Sequence, residues 1–248
     1  MRIATTVMTV FALVLLVGTD QIQAVLFEEE FHYPVGSELN GQNPGFGGTW
    51  TTVSRLEIAE RDGDRFLDGL TNNSGGNQPS QFFAHPFSVA SHSGVITFTA
   101  DVLAASSASD VGGVGFALGK GGPPGNIFEL AAYAVDENAW VFAGIGGDVT
   151  IQDDGSLFDT IVEVKIVIDK SNPFMPTVTR SIGGQLVPSD PTVVDLARIN
   201  ALDHIGGQMD YRFSGIEVHN IRVVPEPSTA ILAGAGCLAL VLRRRRSR

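Results

Sequence analysis

The sequence predicts an all-β fold, a two-sheet antiparallel β-sandwich, and three observations lead to that class. Short runs rich in β-branched and aromatic residues recur with Gly, Asn, Asp and Pro between them. Between the two ends of the chain, no run has the period of a helix longer than two turns. In 95–103 and 160–169, apolar and polar residues alternate as in half-buried strands. Strands with one apolar face require two sheets packed face to face.

The strands are expected wherever such runs are bounded by turn residues. They are predicted at 25–31, 49–59, 80–87, 95–103, 113–118, 127–135, 139–143, 149–152, 160–169, 177–182 and 216–223. The exception is 193–205, whose DLARINALDHI sequence predicts one or two helical turns.

Length and composition fit one folded domain. The chain has 248 residues, 44% apolar and 17% charged, which excludes a disordered, collagen-like or disulfide-stapled chain. Its formal net charge is −11, and the few cations within 25–224 are scattered, so a nucleic-acid partner is not expected. The single thiol, Cys237, lies in the C-terminal apolar run, so the core has no disulfide.

The N-terminus has the features of a secretory signal peptide. Arg2 precedes an apolar run at 7–17, and a polar exit ends at Ala24. At about 1.5 Å per residue, this run is too short to cross about 30 Å of hydrocarbon as a helix. We therefore expect residues 1–24 to be removed, the alternative being an uncleaved anchor.

The C-terminus combines three features in order. Pro225, Glu226 and Pro227 come first, then an apolar run at 230–242, and then a membrane stop made of Arg243, Arg244, Arg245 and Arg246. The prolines are expected to end the preceding strand. The apolar run is expected to form a hydrophobic transmembrane helix, with the arginines on the cytoplasmic side. The sequence thus divides into 1–24, a domain at 25–224, and a sorting or anchor segment at 225–248.

This tail resembles the PEP-CTERM sorting signal of Gram-negative bacteria. The resemblance implies an exosortase-type processing enzyme as partner, with a transient inner-membrane stage before transfer to the cell surface or an exopolysaccharide matrix. The alternative is a permanent tail anchor.

The core resembles concanavalin A-like jelly rolls, the lectin, glucanase and laminin-G-like domains. The resemblance rests on the sequences at 27–36 and 39–43, Trp50, and the closing strand within 213–223. It implies that the first strand pairs with the last.

One local group could bind a sugar. A pyranose needs an aromatic platform beside amide or carboxylate groups. The residues that could supply them are Tyr133, Asp136, Asn138 and Trp140. The alternative is a tryptophan buried in the sandwich.

Two acidic loops contain oxygen ligands that could hold a structural calcium, the only cofactor considered. Asp153, Asp154 and Asp159 form the candidate site. In both loops, a hairpin turn at the Asp-Gly pair, Asp62-Gly63 or Asp154-Gly155, is the favoured alternative. Neither loop has the spacing of an EF-hand.

Catalytic signatures are missing from the sequence. It contains no Glu-x-Asp-x-x-Glu-like string and no G-x-S-x-G, and the five histidines lack metal-ligand spacing. We therefore expect a non-enzymatic surface or matrix protein that interacts with extracellular polysaccharide. The alternatives are a divergent glycan-acting hydrolase or lyase, and a purely structural coat protein.

Overall fold

A computed structural model describes residues 25–53, 56–68, 81–105, 113–121, 127–135, 139–152, 155–209 and 216–226. Within them, two antiparallel sheets pack face to face, as the sequence predicts. The nine-stranded sheet contains β1 (Phe27–Glu29), β3 (Glu57–Arg61), β4 (Asp64–Asp68), β6 (Val95–Ala104), β11 (Ile161–Asp169), β12 (Thr177–Ile182), β13 (Gln185–Leu186), β14 (Thr192–Val193) and β16 (Ile216–Glu226). The seven-stranded sheet contains β2 (Thr51–Val53), β5 (Gln81–Pro86), β7 (Gly113–Lys120), β8 (Ile127–Val135), β9 (Ala139–Gly144), β10 (Val149–Gln152) and β15 (His204–Met209).

The spatial order differs from the order along the chain. It is β13-β12-β11-β6-β16-β4-β3 in the larger sheet, with β1 on β16 and β14 on β12. In the smaller sheet it is β10-β9-β8-β7-β15-β5-β2. A 3₁₀ turn at Val89–Ser91 and one short helix, α1 (Leu196–Asn200), complete the described fold, and α1 confirms the helical turn expected within 193–205. No helix in the described ranges has the length and apolar character needed to cross a bilayer.

The alternating runs form the centre of the larger sheet. β6 pairs with β11 along its length, so that Phe98 lies opposite Ile166 and Val102 opposite Val162. These four side chains point into the core between the sheets and are buried, while their polar neighbours face outward. The period-2 pattern therefore gives the correct face as well as the correct strand.

The first strand pairs with the last, as the jelly-roll resemblance implies. Phe27 lies opposite Val223, and Glu29 lies opposite Ile221. Trp50 is buried in the core next to them, with its ring centroid 6.0 Å from that of Phe27.

The single strand predicted at 49–59 is two strands in different sheets. β2 pairs with β5, whereas β3 pairs with β4. Trp50 before the crossing and Leu56 and Ile58 after it are all buried in the same core. The hydrophobic pattern continues because the chain changes sheets without leaving that core.

The sequence predicts no strand at the positions of β4 and β15. β4 follows a hairpin turn in which Asp62 and Gly63 both have positive φ (56° and 85°), which confirms the turn expected there. β15 contains Gly206, where an added Cβ would lie 2.0 Å from the Phe83 carbonyl oxygen. The glycine thus allows close approach of β5 and β15, although it weakens the strand signal in the sequence.

Pro225 does not end the last strand. β16 continues to Glu226, with Pro225 opposite Ile96 on β6. The pairing of β16 with β1 ends at Val223, so Pro225 lies where β16 has no β1 residue opposite it. A proline is tolerated there because no ladder partner needs its missing N–H.

Candidate functional site

The outer face of the seven-stranded sheet has a row of small residues across its strands. The register places Ala143, Ala131, Ala117, Gly206 and Ala84 side by side on five neighbouring strands. We call this the alanine row. Because these side chains are so small, this part of the sheet surface is recessed, and the larger side chains around it project further from the sheet.

Three aromatic side chains border the alanine row. The rings of Phe82 and Phe128 stack with centroids 6.0 Å apart and an interplanar angle of 27°. Phe128 and Tyr133 pack against Ala117 and Ala131 and remain partly exposed. Ala117 and Ala131 are themselves buried, at 0% and 5% exposed, so solvent meets the partly exposed rings that cover them.

An ion-paired trio lies beside Phe128. A register shift between β7 and β8 leaves Glu129 as the extra residue of a bulge. Its carboxylate contacts Lys120 Nζ at 2.8 Å and Arg198 Nη2 at 2.8 Å. These two cations lower the pKa of Glu129. The cations are about half exposed, and the carboxylate is nearly buried.

His204 lies at the same end of this sheet as Phe128. Phe128 lies opposite Gly119, and Gly119 lies opposite His204. His204 Nδ1 shares a hydrogen bond with Asp203 Oδ1, which also accepts a hydrogen bond from the Gly121 N–H at 3.0 Å. The described titratable groups on this part of the surface thus bond to one another or to backbone.

The residues predicted to bind sugar do not form one site. Tyr133 lies on the outer face, but its neighbour in register is Val141, and Trp140 points the other way. Trp140 is 0% exposed and packs against Phe158, with ring centroids 6.1 Å apart. The exposed Trp140 platform is therefore wrong for this structure, because side chains alternate between the faces of a strand. Asp136 and Asn138 lie outside the described residues.

The calcium site stays a prediction. Asp153 and Asp154 lie outside the described residues, whereas Asp159 has a positive φ of 54° and donates its N–H to the Ala104 carbonyl at 2.8 Å. Within the described ranges, no group of three or more His, Cys, Asp or Glu side chains is arranged to hold a metal ion.

A second polar cluster surrounds the buried carboxylate of Glu29. It accepts hydrogen bonds from the Phe31 N–H at 2.6 Å, the Tyr33 hydroxyl at 2.6 Å and Trp50 Nε1 at 2.7 Å. Burial, followed by the contact with Glu29, raises the pKa of Tyr33. A cavity of about 300 Å³ adjoins the cluster. It is lined by Glu28, Glu29, Glu30, His32, Tyr33, Asn43, Pro44 and Phe46.

A third cluster lies on the outer face of the nine-stranded sheet. His219 contacts Asp64 Oδ2 through Nδ1 at 2.7 Å and Glu217 Oε2 through Nε2 at 3.1 Å. Arg61 makes two hydrogen bonds to Glu217, at 2.8 and 2.6 Å. Both ring nitrogens of His219 are thus engaged, so this histidine is not available to a substrate.

The proline motif begins within the fold. Glu226 lies opposite Val95, and its Oε1 accepts a hydrogen bond from Thr97 Oγ1 at 2.8 Å. Pro227, the apolar run and the arginine stop lie outside the described residues. Sequence comparison matches residues 223–246 to the family model of the PEP-CTERM protein-sorting motif. A comparison with curated proteins finds no match.

Solved structures with similar folds include two carbohydrate-acting proteins and a toxin. A carbohydrate esterase from a Shiga toxin-encoding bacteriophage is 14% identical, with 71% of this chain and 90% of that chain covered and a TM-score of 0.49. An alginate lyase in complex with an alginate tetrasaccharide is 18% identical, covering 84% and 99%, with a TM-score of 0.47. Botulinum neurotoxin type C is 10% identical, covering 81% and 50%, with a TM-score of 0.49.

At these identities, the likeness concerns the jelly-roll sandwich alone. Fold and motif together define a two-sheet β-sandwich with a C-terminal sorting signal. The PEP-CTERM motif supports export of this chain to the cell surface of a Gram-negative bacterium.

Proposed function

We propose that this chain is an exported surface or matrix protein that an exosortase-type enzyme processes at its proline motif. Its sandwich binds extracellular glycan without catalysis. The binding surface is formed by the partly exposed rings of Phe82, Phe128 and Tyr133 beside the alanine row. The observation that carries this proposal is the set of partly exposed aromatic rings beside that row.

The chemistry of a sugar suits such a surface. The C–H face of a pyranose packs on aromatic rings, and its hydroxyl rim needs polar groups at the edge. Lys120 and Arg198 supply exposed donors beside Phe128. A chain with a net charge of −11 favours a neutral glycan over a polyanionic one.

The charge state of Glu129 supports binding rather than hydrolysis. A general acid must hold its proton near neutral pH, which requires a raised pKa. Lys120 and Arg198 lower the pKa of Glu129 instead. This carboxylate is therefore ionised and serves to orient the two cations.

A glycan array with the purified full chain tests the binding surface. We expect saturable binding to neutral oligosaccharides, weakened by Phe128→Ala and by Tyr133→Ala. Phe174→Ala is the matched control, since Phe174 is an exposed aromatic residue away from this sheet. Unchanged melting temperatures show that the variants are folded. Release of shortened products would identify a hydrolase or lyase instead, and binding to nothing would identify a structural coat protein.

Cell fractionation tests the sorting step. We expect Glu226→Gln, or removal of 225–248, to change where the protein accumulates. Persistence of the uncleaved wild-type chain in the inner membrane would instead identify a permanent tail anchor. Recovery of that chain from the cytosol would contradict export itself.

A further inference from the structure

One end of the nine-stranded sheet is where the chain leaves the sandwich. β16 ends at Glu226 opposite Val95, where β6 begins. Val95 lies opposite Asp169, where β11 ends, and Asp169 lies opposite Thr177, where β12 begins. We call this row of four residues the exit end.

Almost no spacer separates the exit end from the apolar run. Only residues 227–229 lie between Glu226 and the start of the run at 230. Three extended residues reach about 10 Å at most. When the tail is inserted in a membrane, as the proposed function requires before processing, the exit end must lie against the bilayer surface.

The connection between β11 and β12 places exposed apolar side chains at this end. Phe174 is 92% exposed and Met175 is 57% exposed. Val193 on β14 is also exposed and lies opposite Thr177. These side chains lie on the same side of the domain as the tail, about three strand spacings, or ~14 Å, from β16.

The turn that carries them is held by hydrogen bonds. Asn172 Oδ1 accepts from the Phe174 N–H at 3.0 Å, and the Asn172 carbonyl accepts from the Met175 N–H at 3.1 Å. At the base of the loop, Lys170 Nζ donates to the Val89 carbonyl at 2.6 Å and to Asn200 Oδ1 at 3.2 Å. The turn is thus anchored at its base while Phe174 faces solvent.

We propose that Phe174 and Met175 enter the bilayer interface while the tail is anchored, giving the sandwich a second attachment to the membrane. The strands then stand upright on the surface, and the aromatic rings beside the alanine row face sideways, toward the surrounding matrix. This inference rests on the proposed membrane stage of the tail.

Lipid fits this patch better than a second copy of the chain. A stable protein interface buries about 800 Å² on each partner, which a single turn does not supply. A lipid interface needs no complementary shape, and apolar side chains on a protruding turn enter it singly. Since Asp169 and Glu226 make the exit end acidic, the attraction must be apolar rather than electrostatic.

Tryptophan quenching in vesicles tests this contact. The full-length Phe174→Trp variant is reconstituted in phosphatidylcholine vesicles with or without brominated acyl chains. The native Trp50 and Trp140 are buried, so they give a constant background. The matched control is Leu186→Trp, because Leu186 is 65% exposed and follows the far end of β12.

We expect brominated lipid to quench the 174 reporter at least about twofold more than the 186 reporter. Failure of the chain to float with vesicles would overturn the membrane stage and this inference together. Flotation with equal quenching at both positions would overturn this inference alone. A concentration-dependent blue shift without quenching would assign the patch to a second copy, which also overturns it.

Discussion

Two buried polar clusters of this sandwich, the Arg180–Asp190 ion pair and the Glu29 carboxylate with its donors, are stabilised in different ways. Arg180 and Asp190 are both 0% exposed and form an ion pair, with Nη2 to Oδ1 at 2.8 Å and Nε to Oδ2 at 3.0 Å. Glu29 has no such cation, and its described hydrogen-bond donors are neutral, Trp50 and Tyr33 among them. The pair neutralises its charge internally, whereas the Glu29 carboxylate accepts three hydrogen bonds from neutral N–H and O–H donors. Removing one partner of the Arg180–Asp190 pair should therefore leave an unpaired charge in the interior. A substitution near Glu29 should remove only one of its hydrogen-bond donors.

The largest effect is expected for the ion pair. Asp190→Ala leaves the Arg180 guanidinium buried without its carboxylate, so the free energy of unfolding should fall by about 3–5 kcal/mol. Chemical denaturation measures this loss. The double variant Arg180→Met with Asp190→Leu should recover most of it, because no unpaired charge remains. An equal loss in the double variant would mean that the charge pairing itself stabilises the fold.

A smaller effect is expected for Trp50, the fully buried side-chain donor to Glu29. Trp50→Phe removes the indole N–H, and hydrogen bonds to charged groups contribute about 1.5–3 kcal/mol. Trp140→Phe is the matched control, since Trp140 is equally buried and its Nε1 has no hydrogen-bond partner in the described part of the chain. Comparing the melting temperatures of the two variants separates the effect of the lost hydrogen bond from the effect of the lost side-chain volume. Equal destabilisation would show that the Glu29 contact adds nothing.

The Tyr33 hydroxyl should contribute less. Tyr33 is partly exposed, so water can replace its hydrogen bond to Glu29. Tyr33→Phe should cost about 1 kcal/mol, measured by denaturant titration. In a Glu29→Gln background, this cost should shrink, which a double-mutant cycle detects. If Tyr33→Phe lowers stability equally in both backgrounds, its effect does not come from the hydrogen bond to Glu29.

The smallest effect is a pH dependence near the Glu29 cluster. The His85 ring packs against the rings of Phe27 and Trp50, with centroids 4.8 and 5.3 Å away, and burial lowers the pKa of His85 below 6.5. The unfolded state then binds a proton more readily than the folded state, so stability should fall as the pH drops below about 6.5.

Melting temperatures between pH 7.5 and 5.5 measure this dependence. His85→Phe should flatten the slope in that window, whereas the Arg180 and Asp190 double variant should keep it. A slope unchanged by His85→Phe would assign the titration to another group.

The sequence reveals the sandwich because its strands alternate clearly. The runs at 127–135, 149–152 and 177–182 coincide with β8, β10 and β12. β15 is missed because Gly206 and Gly207 have no side chains to show alternation, although a glycine in a strand is itself a sign of close backbone approach.

The candidate surface is harder to predict than the fold. Ala117, Ala131 and Ala143 each follow a larger inward residue (Phe116, Leu130 and Phe142), and this repeated order could have indicated the alanine row. The ion-paired trio leaves no local signal, because Glu129 and Arg198 are far apart in sequence and meet only through a bulge and a short helix. Composition alone does not show which face of β9 Trp140 occupies, so the sequence leaves both the exposed platform and the buried position open.

The position of β16 in the nine-stranded sheet sets an order of events. β16 lies between β6 and β4 and also pairs with β1, yet among the described strands it is the last along the chain. A polypeptide threaded through a translocation pore from its N-terminus keeps a gap in the middle of this sheet until residues 216–226 have emerged. Completion of the domain and arrival of the trailing signal at the pore are therefore nearly simultaneous.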